Sequence, residues 1–159
     1  MTDINPPAVT MTAIGNGRKI TLNRIGLPAL LIFHGRNTSE AVRSVNGPVR
    51  DEYPSAEQLL VISIADLHVV PGLLRGVVQA FIKDAYEEAI QELPQGWEPI
   101  DYLLILPDWD GKVTKAFQMK NTDGKAGLAV LDGNAKVLGT YQGDNLANQA
   151  LKLLEKAMI

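Results

Sequence analysis

The chain has 159 residues, 46% of them hydrophobic and 21% charged, the make-up of one soluble globular domain with a sizeable core. A formal net charge of −3, with Lys and Arg scattered along the chain, offers no basic field to nucleic acid. The absence of cysteine excludes disulfides, thiolate nucleophiles and cysteine-ligated zinc or iron–sulfur centres.

Residues 1–12 carry Pro6 and Pro7 without periodicity and are expected to form an N-terminal arm, loose or docked, ahead of a single domain over 13–159. The opening residues lack a basic stretch followed by an apolar one, so no secretory signal is read and the cytoplasm is the expected compartment. MTAIGNGRKITLN alternates around Gly15, Asn16 and Gly17, the pattern of a short hairpin. The run Ala29–Phe33 predicts a central strand buried on both faces. A helix is expected from Asn37, capped by Asn37 with Glu40 reaching back, and broken or kinked at Asn46-Gly47-Pro48 before a weak resumption to Tyr53. LLVISIAD at 59–66 predicts a second central strand.

Residues 70–93 form the longest helical pattern, with Pro71 suited to its first turn and Pro94 and Gly96 to its end. The apolar-rich stretch at 69–82 is interrupted by Pro71, Gly72, Arg75, Gly76 and Gln79, too broken to span a bilayer. DYLLIL at 101–106 predicts a third strand, and Asp110-Gly111 a turn before a short segment of either type. A hairpin follows, with strands at 127–131 and 135–141 around Asp132-Gly133-Asn134. Leu146, Ala150, Leu153, Leu154 and Ala157 line one face of a closing helix over 145–158. Strands alternating with helices call for parallel crossovers, and the last hairpin for antiparallel pairing. An α/β domain with a central mixed β-sheet flanked by helices is expected.

Four stretches carry a resemblance to a known superfamily: GRKITLNRIGLPALLIF, HGRNTSEA, DWDGKVTKAF and GLAVLDGNAKVLGTYQG. Together they resemble the entry strands, active-site turn, pre-hairpin stretch and C-terminal β-hairpin of the thioredoxin-like superfamily, in its peroxiredoxin and thiol–disulfide-reductase branches. The resemblance implies a thioredoxin-like fold in which the two redox cysteines fall near Thr38 and Ala41, and the opposing proline near Ala126. Thr38 with Ala41 resembles the peroxiredoxin Thr-x-x-Cys version with its cysteine gone, Ala126 stands without the opposing proline, and Pro48 sits about two residues later than the family's helix-kinking proline. The resemblance therefore implies a degenerate redox site. A flavodoxin-like sandwich is the structural alternative, against which the final hairpin argues.

Two kinds of site remain. The strand end and helix start place His34, Arg36, Asn37, Thr38, Ser39 and His68 as a candidate ligand crevice for a small anion. The competing reading makes the polar residues simple helix caps. The two histidines near Asp66 lack metal-binding spacing, Asp108 and Asp110 read as a turn, and Ser39 and Ser63 have no base beside them in sequence. No metal, cofactor or catalytic residue is assigned. The second candidate is an interface formed by Val70, Leu73, Leu74, Val77, Val78 and Phe81, apolar on more than one helix face, with Gly72 and Gly76 permitting close approach. It favours a redox-inactive binding module, a homo-oligomer or a subunit for a protein partner. The alternative is a non-thiol enzyme or ligand-binding protein working at residues 34–39.

Overall fold

A computed structural model describes residues 4–158. Its first element is the expected hairpin, β1 (Thr10–Thr12) antiparallel to β2 (Lys19–Thr21). The main sheet has five strands: β3 (Ala29–His34), β4 (Leu60–Asp66), β5 (Leu104–Asp108), β6 (Gly127–Leu131) and β7 (Val137–Gln142). Their spatial order is β5-β4-β3-β6-β7. β3 pairs parallel with β4 and antiparallel with β6, β4 pairs parallel with β5, and β6 pairs antiparallel with β7. The mixed sheet follows from the chain itself: helical crossovers join the parallel strands, and a tight Asp-Gly turn can only reverse direction.

Continuous apolar runs make β3 and β4 central, because each strand must cover both faces of the sheet. Leu30 and Ile32 of β3 point to a core shared with Val45, Val49, Ala150 and Leu154. These belong to helices α1 (Glu40–Glu52) and α5 (Leu146–Ala157). Leu31 and Phe33 point the other way, to Ile20, Leu22, Val113 and Phe117. There the hairpin and the short helix α4 (Lys112–Ala116) close the sheet, and the Phe33 and Phe117 rings lie 5.2 Å apart. Of the segment set apart as an arm, residues 1–3 lie outside the described residues, Ile4 is buried in this second core, and Thr10–Thr12 are β1.

Three expectations are corrected. α1 does not break at Pro48 but continues to Glu52. Val45 and Val49 anchor it in the core while Pro48 and Ser44 face solvent, so the Ser44 carbonyl that loses its amide partner lies on the water side of the helix. α1 also starts later than Asn37, with Ser39 at its N-cap and no side-chain cap bond. Residues 101–103 are not strand: Pro99 opens the short helix α3 (Pro99–Tyr102), and β5 begins at Leu104. Tyr102 stacks on Trp97 at 4.1 Å between centroids and takes the Arg50 guanidinium over its other side at 4.8 Å. Arg50 is buried at the end of α1 and donates to the Tyr53 and Leu59 carbonyls, fastening the helix to the loop that leads into β4.

The outer strands are shielded. Pro107 within β5 has no amide to offer, and the Ile14 amide donates to the Ile105 carbonyl of that strand. β7 carries an irregular register opposite Val130 and Leu131. No helix among the described residues is long and apolar enough to cross a membrane.

Candidate functional site

β3 ends at His34, and Gly35 to Ser39 bridge it to α1, so the sheet delivers this turn to the mouth between β3 and β6. The turn is occupied by the chain's own loop 121–124. Thr38 Oγ1 donates to the Thr122 carbonyl at 2.5 Å and accepts from the Gly35 amide at 2.8 Å. Asn37 is the pivot. Its backbone amide and its side-chain amide each donate to one carboxylate oxygen of Asp123, both at 2.8 Å. The predicted cap is thereby corrected: Asn37 turns to a carboxylate instead of its own helix, since a charged acceptor makes the stronger bond. The seat is close-fitting, for a Cβ on Gly35 would stand 2.9 Å from the Asp123 backbone. Gln142 holds the loop from its far side, its side-chain amide donating to the Lys125 carbonyl at 2.9 Å and its oxygen accepting from the Lys120 amide at 3.1 Å.

The two histidines are separated in role. His34 Nδ1 lies 3.0 Å from the Gly35 carbonyl, which can only accept, so the proton is assigned to Nδ1. Nε2 then accepts from the Ser63 hydroxyl at 2.8 Å. Burial pushes the His34 pKa below its usual value, with the Gly35 carbonyl and the Asp66 charge pulling weakly the other way. His68 is exposed and donates from Nδ1 to Asp66 Oδ1 at 2.7 Å. The second Asp66 oxygen accepts from the Thr122 hydroxyl at 2.9 Å. Asp66 thus ties the end of β4 to the same loop that occupies the crevice. Asp108, its neighbour across β4 and β5, accepts from the Val113 and Thr114 amides and the Thr114 hydroxyl, which makes it the cap of α4. No three potential metal ligands converge among the described residues.

The six crevice residues are therefore not brought together around a space. His34 faces Ser63, Asn37 and Thr38 face the loop, His68 faces Asp66, and Arg36 and Ser39 lie in solvent. The three positions implied by the family likeness do share a surface: Thr38, Ala41 and Ala126 line one open hollow of about 270 Å³ with Lys125, Asp144 and Leu146. Sequence reasoning missed Thr122, Asp123 and Gln142, and it set Ser63 aside for want of a base beside it in sequence, where the fold brings His34 Nε2 to 2.8 Å. In the sequence Asp123-Gly124 reads as one more Asp-Gly turn, and nothing local marks a partner 86 residues away.

The interface candidate lies on α2 (Arg75–Glu92), preceded by a single 3-10 turn at Gly72–Leu74. Tyr86 is its one buried residue, its ring against Gly15 of the hairpin turn, with Val78 and Ile82 half-buried on the same side. The opposite side is bare: Leu73 is 97% exposed, Val77 67% and Phe81 76%. Val69 and Leu74 extend this patch, while Val70 and Val78 of the predicted set are partly covered.

The fold is that of the thioredoxin-like proteins. StoA from Bacillus subtilis superposes with a TM-score of 0.61 at 18% identity, covering 95% of this chain and 98% of that one. The pneumococcal exposed lipoprotein thioredoxin Etrx1 from Streptococcus pneumoniae gives 0.61 at 17%, covering 93% and 98%. A thioredoxin-like protein from Porphyromonas gingivalis gives 0.63 at 17%, covering 99% and 94%. No protein-family model and no curated protein matches the sequence. The chain carries this fold without a cysteine.

Proposed function

We infer that this chain is a redox-inactive, peroxiredoxin-like module of the cytoplasm that acts by binding through α2, with a second copy of itself as the partner. Thr38, Ala41 and Ala126 are read as the remains of a redox site: without a thiol on the chain, no disulfide exchange can start there. The observation that carries the reading is the stripe Leu73, Val77, Phe81, at least two-thirds exposed along one helix face whose reverse already meets the domain. Soluble monomers seldom leave so contiguous an apolar face to water.

Light scattering at micromolar concentration tests the reading. The unaltered chain is expected as a dimer and the Val77→Asp/Phe81→Asp variant as a folded monomer; a monomeric unaltered chain refutes the dimer. The crevice reading has less support, because its polar groups already have partners within the chain. Titration with phosphate, sulfate or carboxylates is expected to leave the amide signals of residues 37–40 unmoved, and a shift at millimolar ligand restores that reading.

A further inference from the structure

Resting on the reading of α2 as a self-association face, the charge layout along the helix says how two copies meet. On a helix, positions four apart recur on one line, and those seven and eleven apart fall close to it. Val77 and Phe81 define the line, Leu73 of the preceding 3-10 turn heads it, and Asp84 and Glu88 continue it toward the C-terminal end, both exposed. Neither acid takes part in an ion pair among the described residues. At the other end, neither the 3-10 turn nor α2 has an acidic residue in its first turn or a side-chain cap. Its own first turn thus offers no anion to the positive end of the helix dipole. One face therefore runs from an uncapped, positive helix start, through an apolar middle, to a carboxylate pair.

We propose that a second copy of the chain covers this face antiparallel, about a two-fold axis passing beside Val77. Leu73 then seats on the partner's Phe81, and Phe81 on the partner's Leu73, because 73 and 81 lie equally far from 77. The same operation brings Asp84 level with the partner's Val70, just ahead of the helix start where the free amides point. Each helix supplies the other's missing N-terminal anion. A parallel pairing sets Asp84 and Glu88 against their own copies and leaves both helix starts bare, so repulsion disfavours it.

The absence of native cysteine makes single-cysteine crosslinking a clean test. Leu73, Val77 and Phe81 are each at least two-thirds exposed, and Lys152, Asp84 and Glu88 are exposed, so folding is not at stake. Under mild oxidation, Val77→Cys is expected to form a disulfide dimer at least tenfold faster than the exposed control Lys152→Cys. In the antiparallel pair, two copies of position 73 lie about 12 Å apart along the axis, out of disulfide reach. Leu73→Cys and Phe81→Cys alone should therefore crosslink no faster than the control, while an equimolar mixture of the two should crosslink rapidly. Asp84→Lys/Glu88→Lys should weaken dimerisation at least tenfold.

Self-crosslinking at all three positions overturns the antiparallel arrangement in favour of a parallel one. A dimer by sedimentation that crosslinks at none of them overturns the arrangement and leaves self-association intact. A monomer at micromolar concentration overturns both, as does a monomer that floats with phosphatidylcholine vesicles.

Discussion

Ser63 donates to Nε2 of His34 while Nδ1 donates to the Gly35 carbonyl, so the ring sits neutral with both nitrogens satisfied at the end of β3. Protonation places a charge in a largely desolvated site, and for that reason the folded pKa lies below the ordinary 6.5. The sign of the pH effect follows. The unfolded chain takes up the proton near pH 6.5 and the folded chain only at lower pH, so stability rises with pH across that window. Above about 6.5 the contribution is fully present; it is lost as pH falls toward the folded pKa and is constant below it. Urea unfolding across this window is expected to show a steeper loss of stability for the unaltered chain than for His34→Gln. Equal slopes would mean that the ring titrates freely in the folded state.

Among the elements, α1 holds an internal proline through packing, with Val45 and Val49 buried on one side and Ser44 and Pro48 exposed on the other. Pro48→Ala restores the amide that the Ser44 carbonyl lacks and is expected to raise stability by about 1–2 kcal/mol, read as a higher urea midpoint at unchanged slope. The same helix shows what a sequence displays and what it hides. Its presence was readable from the polar residues at its start, and the runs of β3 and β4 were readable because burial on both faces leaves a local pattern. The hairpins were readable through their Gly and Asp-Gly turns. The unbroken course through Pro48 was not, since it depends on packing against β3 and α5, which can override local propensity. Nor was the role of Asn37: a capping residue looks the same whether it serves its own helix or a distant carboxylate. Residues 101–103 were misread because Leu103 to Leu106 continue the apolar run, and only Pro99 marks a helical turn before it. The bare face of α2 was readable as an excess of apolar positions, while which of its two sides meets the domain was decided by Tyr86 and Gly15, far apart in sequence.

For the molecule as a whole, the proposed self-association would couple to folding, because a pair that forms only between folded chains draws the equilibrium toward the native state. The thermal midpoint of the unaltered chain is expected to climb with protein concentration. The Val77→Asp/Phe81→Asp variant should show one midpoint at all concentrations, matching that of the dilute unaltered chain. A concentration-independent midpoint in both would separate the α2 face from stability altogether.

The shielding of β5 and β7 has a consequence for how large such an assembly can grow. An open strand edge accepts a neighbour and then presents a fresh edge, so growth along a sheet has no natural end. Here Pro107 and the Ile14 amide interrupt one border, and the irregular register of β7 disturbs the other. A two-fold contact through a helix face consumes the same patch on both copies and leaves none over. Joining by that route is self-limiting, and the protein should therefore stay clear, as discrete pairs, in concentrated solutions where an edge-linked sheet protein would turn to fibres.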